Sequence, residues 1–521
     1  MPKGLVLAYV DSMRTDMLEL AVEEGRAPTF GKLLRRGVLV RECVSSFPSV
    51  TPVASAEIAT GVGPDRNWIS AMNWYHRLER RYVEYGSSFE ASRTFGLFRT
   101  LYDLVYNMNL AHLNPEVTTV FEHLDDAGLR TACTPYLIYR GRHRHEVSLE
   151  GLMRRAIDVS GLKLRHATWG PKELFYGELY ASRRVPCTPT SRPGARDEYS
   201  ACCAAELAAQ GLFDFLLLSL PDNDHYSHQH GPDAMVDSIA TADAAFAKLI
   251  EAAGGLDGFL TDYALILMAD HAQTPVHREL PIADELGRRW NVLQPSEDRP
   301  EDAELAVSPT SRAANVYLLA GSEPAPQLGD VRGALAAMEG VDIVAHLEID
   351  GEPLVRSEPG PPPPGAFAVV RRAGVELRFR PGDQAEDLRG GGWELDGDPL
   401  ALDLEQSDGR LRSESYPDAL GRLWSSLAAP HSGDLVVSAT LGYECVDWGR
   451  ASHVGGGSHG SLHRGDSLGP LLFCGCGPEH PDEREQWSLR DVAPIVVDFL
   501  GGGERERPTA DWVGPGVRAL G

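Results

Sequence analysis

Metal-binding side chains are concentrated in one short segment, Asp222-Asn-Asp224-His225-Tyr-Ser-His228-Gln-His230. Three histidines and two carboxylates fall within these nine residues, and imidazole and carboxylate groups are common ligands of zinc and similar cations. Asp224 and His228 are four residues apart, so a helical turn would place both side chains on one face, where they could bind one ion. Asp222 is the alternative carboxylate ligand in this segment.

Further candidate ligands follow short apolar runs or lie among glycines. Asp11 comes directly after Leu5–Val10, and the pair Asp270-His271 follows Tyr263–Ala269. In Gly455-Gly-Gly-Ser-His459, the glycines give the backbone the freedom to bring a histidine close to a metal. Each of these residues alone also suits a turn or a helix cap, so the evidence for a metal site is that they occur together.

Thr51 is the candidate nucleophile. Pro52 suits the first turn of a helix, and the pattern predicts a helix that runs to about Thr60 and ends at Gly61. Backbone N–H groups and the helix dipole favour negative charge at such a start, and a nearby metal could lower the pKa of the hydroxyl. From this segment alone, an N-cap role for Thr51 is the simpler alternative.

Short apolar runs alternate with helical patterns along the chain. This alternation predicts an α/β fold with a mostly parallel central sheet and helices on both faces. Ligands of such sheets bind beyond the carboxyl ends of the strands. The polar residues that follow the predicted strands are therefore expected to meet at one edge of the sheet. The predicted strands are Leu5–Val10, Val38–Val44, Arg130–Pro135, Phe213–Leu220, Tyr263–Ala269, Gly433–Thr440 and Leu471–Cys474.

The pattern changes between residues 280 and 427. This part contains the stiff linker Pro359-Gly-Pro-Pro-Pro-Pro-Gly365 and short strand-like runs separated by glycine turns. We predict a catalytic core made of residues 1–279 and 428–521, with an inserted α+β cap region at 280–427. The strand predicted at Gly433–Thr440 is expected to return the chain to the core.

The composition limits the partners and the location. The 521 residues carry a formal net charge of −26, which repels nucleic-acid backbones and anionic membranes. We therefore expect a small substrate, with no nucleic-acid polymer and no membrane as partner. The apolar runs are too short to span a bilayer and the first of them lacks the features of a signal peptide, which predicts a cytoplasmic location. The eight cysteines show no regular spacing and are expected to be reduced, partly buried thiols.

The candidate residues as an ordered set resemble the alkaline phosphatase superfamily. Within it, Phe47-Pro-Ser-Val-Thr51 and the later Thr60-Gly61 resemble the type I phosphodiesterase/nucleotide pyrophosphatase branch. The resemblance implies an alkaline phosphatase-like core and two divalent metal ions, zinc first, with manganese or iron as alternatives. The residues that carry the resemblance are Asp11, Thr51, Asp224, His228, Asp270, His271 and His459.

The resemblance also implies a role for each residue. Asp224, His228 and His459 would hold one ion, and Asp11, Asp270 and His271 would hold the other. Thr51 would lie between the two ions, attack phosphorus and form a phospho-threonine intermediate. Asn73 matches the asparagine that hydrogen-bonds a phosphoryl oxygen in the family, although a turn role is the alternative.

The implied activity is hydrolysis of phosphodiester or nucleotide pyrophosphate bonds in a small phosphorylated substrate, nucleotides included. A phosphomonoesterase and a phosphonate hydrolase of the phosphonoacetate type are alternatives on the same site. An inactive metal-binding relative is the alternative outside enzymes. The sequence departs from the family where Pro-Asn-His commonly follows the nucleophile, because Pro52 is followed here by Val53-Ala54-Ser55.

Overall fold

The central sheet carries the chemistry-bearing segments at its strand ends. The structure is a computed structural model that describes residues 2–148, 167–295, 300–319 and 326–501. Within these ranges nine strands form one mixed sheet. Their order across the sheet is Trp487–Ser488, Val38–Val44, Leu468–Cys474, Tyr263–Met268, Gly4–Val10, Phe215–Leu220, Thr131–Thr134, Glu173–Tyr176 and Tyr180–Ala181.

The strand Gly4–Val10 is at the centre of this sheet. It pairs in parallel with Phe215–Leu220 and with Tyr263–Met268, so these three strands end at the same edge. Successive side chains of a strand point to opposite faces. Here Leu5 and Leu7 enter one hydrophobic core and Val6 and Ala8 enter the other. The predicted α/β class, with a mostly parallel sheet covered on both faces, is confirmed.

Helices pack against the sheets, and the helix Asp222–His230 starts directly after the strand Phe215–Leu220 of the central sheet. In the described ranges no helix is both long and apolar enough to cross a membrane. The α-helices, with one π-helical stretch at Asp103–His112, are Thr15–Glu23, Pro28–Leu34, Thr51–Thr60, Pro64–Asn67, Phe89–Phe95, Leu97–Tyr102, Val120–Asp126, Arg196–Ala209, Asp222–His230, Met235–Ala252, Gly255–Asp262, Ile282–Leu286, Leu328–Ala336, Ala419–Ala428, Arg464–Ser467 and Val492–Gly501. Short 3-10 turns span Pro232–Ala234, Pro300–Asp302, Pro399–Leu402, Pro481–Glu483 and Leu489–Asp491.

A second, largely antiparallel sheet is built mostly from the predicted cap region. The strand Leu435–Ala439 lies inside this second sheet, so the prediction that Gly433–Thr440 returns to the core is wrong. An apolar strand buried on both faces has the same sequence pattern in either sheet. The strand order is Leu305–Thr310, Ala313–Leu318, Leu435–Ala439, Val341–Ile349, Phe367–Arg372, Val375–Asp387, Arg410–Ser413 and Leu404–Ser407, with Glu352–Pro353 and Gly392–Gly397 paired beside it.

Small sheets bring distant segments together. A three-stranded sheet places Thr274–Leu280 between Gly442–Cys445 and Gly457–Ser458, so the segment after His271 lies beside the segment that leads to His459. Two-stranded sheets are formed by Asn73–His76 with Arg81–Glu84 and by His143–His145 with Thr168–Gly170.

The cysteines depart from the sequence-based expectation at one pair. Cys187 and Cys202 form a disulfide, which ties the segment before the helix Arg196–Ala209 to that helix. The expectation that all eight cysteines are free is therefore wrong for these two. Their separation of 15 residues has no regular spacing, so the sequence carried no signal for the pairing. The other six cysteines are free thiols, as expected.

Candidate metal and active site

Thr51 is the first residue of the helix Thr51–Thr60, which ends at Gly61 with a positive φ of 71°, as predicted. The N-cap is Val50, and no side chain caps the helix. The alternative of an N-cap role for Thr51 is therefore wrong, and its hydroxyl is available for other contacts. The Thr51 Oγ1 lies 3.3 Å from His271 Nε2.

Asp224 and His228 lie on one face of the helix Asp222–His230, with 3.4 Å between Asp224 Oδ1 and His228 Nε2. Asp222 points elsewhere. Its carboxylate accepts hydrogen bonds from three donors around the start of a neighbouring helix, namely Gly194 N, Arg196 Nε and Asp197 N. The sequence left Asp222 and Asp224 as alternative metal ligands, and the structure places Asp224 beside His228.

Asp270, His271 and Asp11 form a second group. Asp270 Oδ1 accepts hydrogen bonds from the backbone N–H groups of Ser12 and His271, each at 3.0 Å. Asp270 Oδ2 has no hydrogen-bond partner and lies 3.4 Å from His271 Nε2. Asp11 Oδ1 also lacks a partner and lies 3.8 Å from the same nitrogen. Two buried carboxylate oxygens are therefore left for a ligand.

His459 joins the two groups. Its Nε2 lies 3.6 Å from Asp224 Oδ1, and its ring stacks on that of His271 at 3.9 Å between centroids and 16° between planes. The structure thus brings together every side chain that the sequence predicted for the metal centre. These are Asp11, Thr51, Asp224, His228, Asp270, His271 and His459.

The histidines present one ring nitrogen to the site. The Nδ1 atoms of His228, His271 and His459 lie 2.7, 3.3 and 2.8 Å from the backbone carbonyls of Gly457, Ala272 and Ser49. Such a contact fixes the tautomer and leaves Nε2 as the metal-binding atom. Burial lowers the pKa of each of these three imidazoles to about 4, so all are neutral at pH 7, the form that binds a metal.

The carboxylates of the site crowd one another. Burial, followed by repulsion from Asp270 and Asp224, raises the pKa of Asp11 well above its usual range. Burial also raises the pKa of Asp270 to about 6. Burial opposes ionisation of Asp224 as well, but the surrounding imidazoles lower its pKa below the usual range. Buried carboxylates this close are stable as anions when a cation lies among them, so the donor set fits divalent metals.

The ligand atoms fall into groups of a size suited to metal ions. In the described part of the chain, the ligand atoms within 4.8 Å of one another form three groups: Asp224, His271 and His459; Asp11, Asp270 and His271; and His228, Glu444 and His453. His271 belongs to two groups, which joins the predicted ligand sets. His228 belongs to the third group and also lies 3.4 Å from Asp224 Oδ1, so its expected place with Asp224 and His459 stays a prediction.

Several polar residues of the site were not predicted. Gln273 Nε2 donates to Asp224 Oδ1 at 2.6 Å, and Asn223 Nδ2 donates to the carbonyl of Asp11 at 2.7 Å. The His453 Nδ1 lies 2.8 Å from Glu444 Oε1, and its ring lies 4.2 Å from that of His228. Asn223 and Gln273 are each within two residues of a predicted ligand, which was the available signal. Glu444 and His453 gave none, because Glu444 lies in a strand paired with Thr274–Leu280 and His453 lies in the loop between that strand and Gly457–Ser458.

Asn73 begins the strand Asn73–His76. Its amide nitrogen donates to the Val83 carbonyl and to the Glu84 carboxylate, each at 3.0 Å, so both amide hydrogens have partners. Its Oδ1 is buried without a partner. The predicted contact between Asn73 and a phosphoryl oxygen therefore stays a prediction.

A family model described as Type I phosphodiesterase / nucleotide pyrophosphatase matches residues 5–320. The matched part is more than half of the chain and contains the predicted site residues from Asp11 to His271, while His459 lies beyond it. A search among curated protein sequences found no match.

Solved structures similar to this chain share its fold. Phosphonoacetate hydrolase from Sinorhizobium meliloti 1021, in complex with phosphonoformate, has a TM-score of 0.54 and 17% identity, and the match covers 96% of each chain. Murine ectonucleotide pyrophosphatase / phosphodiesterase 5 has a TM-score of 0.54 and 13% identity, with 96% of this chain and 95% of that chain covered. An inactive variant of the murine protein in complex with AMP has a TM-score of 0.53 and 12% identity, with the same coverage.

Proposed function

The chain belongs to the type I phosphodiesterase / nucleotide pyrophosphatase family, and on this premise we propose that it cleaves phosphodiester or nucleotide pyrophosphate bonds through a phospho-threonine intermediate on Thr51. One observation carries the proposal. The Thr51 hydroxyl is free of any capping role, lies at a helix start and is 3.3 Å from Nε2 of His271, a residue that belongs to two of the candidate ligand groups.

We propose two zinc ions as the metals, with manganese or iron as alternatives. Asp224, His228 and His459 would hold one ion. Asp11, Asp270 and His271 would hold the other. When bound, two such cations lower the pKa of the nucleophile and stabilise charge on the attacking and leaving oxygens. The unpartnered oxygens of Asp11 and Asp270 support this assignment, as do the backbone contacts that engage Nδ1 of His271 and His459 and leave Nε2 directed at the carboxylates.

The geometry supports a chemical role for Thr51 and for the start of its helix. Thr51 gives up its hydroxyl proton to solvent, Oγ1 attacks phosphorus, the Oγ1–P bond forms, and the ester or anhydride P–O bond breaks with its electron pair on the leaving oxygen. Water then attacks phosphorus, the Oγ1–P bond breaks with its electron pair on Oγ1, and a proton released by the attacking water restores the Thr51 hydroxyl. The helix start favours the negative charge that both transition states place near Oγ1. Asn73 is the proposed donor to a phosphoryl oxygen, once one of its present partners is released.

The proposed substrate is a small phosphorylated molecule, with nucleotides as the leading class. The family description and the AMP complex of the murine neighbour support a phosphodiester or nucleotide pyrophosphate. The bacterial neighbour is a phosphonoacetate hydrolase with an equal TM-score, and this observation favours phosphonate hydrolysis as the second candidate.

A comparison of substrates tests the proposal. The zinc-loaded protein is expected to hydrolyse bis-p-nitrophenyl phosphate with a kcat/KM at least about tenfold above that for p-nitrophenyl phosphate or phosphonoacetate, which corresponds to about 1.4 kcal/mol of transition-state binding. A preference for phosphonoacetate or for the monoester would replace the diester proposal by the corresponding alternative. Metal binding without turnover of any of the three compounds would indicate an inactive metal-binding relative.

The cytoplasmic location predicted from the sequence stays a proposal. The disulfide between Cys187 and Cys202 argues against it, because disulfides persist mainly in oxidising compartments. The number of thiols alkylated before and after reduction, in protein isolated from its native compartment, decides between a reducing and an oxidising location.

A further inference from the structure

Asp466 is a fully buried carboxylate between the two segments that carry the stacked site histidines. Its Oδ1 accepts a hydrogen bond of 2.5 Å from Thr274 Oγ1. Its Oδ2 accepts two bonds from Ser461, at 3.1 Å from the backbone nitrogen and 2.6 Å from Oγ. Its backbone carbonyl accepts a further bond of 3.0 Å from the Ala272 nitrogen. A single residue therefore ties the two segments together.

Arg312 is a buried cation at the same junction. Its Nη2 donates to the carbonyls of Thr274 and Pro275 at 2.9 and 2.5 Å, and its backbone nitrogen donates to the His459 carbonyl at 2.8 Å. Its Nε lies 3.9 Å from Asp466 Oδ2, and both side chains are fully buried. The positive charge thus balances the buried carboxylate, and the arginine connects the same two segments from the side of the second sheet.

We propose that Asp466, together with Arg312, is a positioning residue that fixes His271 and His459 against each other. The two rings stack at 3.9 Å, and the proposed assignment places them in the two different ligand sets of the metal centre. Holding the two segments in register therefore sets how the two ligand sets are spaced. The inference rests on the proposed function, because it concerns the cations that function requires.

A buried ion pair elsewhere in the fold offers a matched control. Arg77 Nη2 and Asp434 Oδ1 are 2.9 Å apart, with 4% and 0% of their side chains exposed. Asp434 also accepts hydrogen bonds from the backbone nitrogens of Leu318 and Arg356. None of these residues belongs to the predicted ligand set. Neutralising Asp434 thus removes a comparable buried charge without touching the two histidine segments.

Zinc titration tests the inference. The full-length protein, stripped of metal, is titrated with Zn²⁺ against a chromophoric chelator, and thermal unfolding is recorded beside it. The wild type is expected to bind two ions. Asp466→Asn is expected to weaken the binding of at least one ion by about 10- to 100-fold, as substitutions of residues that support metal ligands do. Asp434→Asn is expected to lower the unfolding temperature and leave both zinc affinities unchanged.

Thr274→Val removes one hydrogen bond to Asp466 and decides the matter if Asp466→Asn does not fold. If Asp466→Asn folds and keeps wild-type zinc affinities, the inference is overturned, while the two-metal proposal is unaffected. The same holds for Thr274→Val if Asp466→Asn does not fold. An equal loss in Asp434→Asn would also overturn it, because general destabilisation would then explain the effect. A wild type that binds neither zinc nor the alternative ions manganese and iron would overturn the proposed function, and the inference with it.

Discussion

Thr51→Ala is expected to lower kcat by roughly four to six orders of magnitude, as the loss of a covalent nucleophile does in other hydrolases. The substitution removes the hydroxyl and the γ-methyl group of Thr51, and the contact of the hydroxyl with His271 Nε2 at 3.3 Å places it where an attacking oxygen is needed. Steady-state rates on bis-p-nitrophenyl phosphate measure the effect, with zinc content determined on the same samples. Two zinc ions per chain are expected to remain, because the carboxylate and imidazole ligands are unchanged.

Thr60→Ala is the control for this prediction. Thr60 ends the same helix, and its hydroxyl donates to the Ala56 carbonyl at 2.5 Å. Its loss is expected to leave kcat within the experimental error of the wild type. Thr51→Ser keeps a hydroxyl and is expected to retain part of the activity. Undiminished turnover by Thr51→Ala would rule out the covalent mechanism.

His228→Ala is expected to reduce zinc content from two ions to about one and to lower kcat/KM by about three orders of magnitude or more, because a lost cation removes several kcal/mol of transition-state stabilisation. Metal analysis and kinetics measure the two effects. The matched control is His230→Ala, two residues along the same helix. His230 is exposed and its ring packs on Tyr226, so its loss is expected to change neither quantity.

The comparison between His228 and His230 also separates two explanations. If both variants lose zinc equally, the helix rather than the ligand atom is responsible, and the assignment of His228 fails. Removal of zinc from the wild type with a chelator is expected to abolish turnover and to lower the unfolding temperature, because a cation that binds only the folded state stabilises it. Readdition of zinc is expected to restore both.

The site could be predicted largely because local pattern and topology agree. Pro52 and Gly61 delimit the helix that presents Thr51, and the four-residue spacing of Asp224 and His228 suits a helical face. Parallel strands then bring Asp11 and Asp270 to the same edge. These features depend on short stretches of sequence and on a general rule for parallel sheets.

The features that were missed depend on long-range pairing. The strand Leu435–Ala439 is apolar throughout, and its pattern does not say which of two sheets it joins. Asp466 and Arg312 are polar residues in unremarkable surroundings, and their role exists only once segments more than a hundred residues apart meet. The pairing of Cys187 with Cys202 is of the same kind, since spacing alone does not determine connectivity.

Distant parts of the chain are proposed to bind two cations on either side of the Thr51 hydroxyl oxygen. Anomalous X-ray scattering from crystals of the zinc-loaded protein, measured on both sides of the zinc absorption edge, tests this claim most directly. We predict two peaks, one against Asp224 and His459 and one against Asp11 and Asp270, with Thr51 Oγ1 in contact with both. A single peak confined to His228, Glu444 and His453 would contradict it.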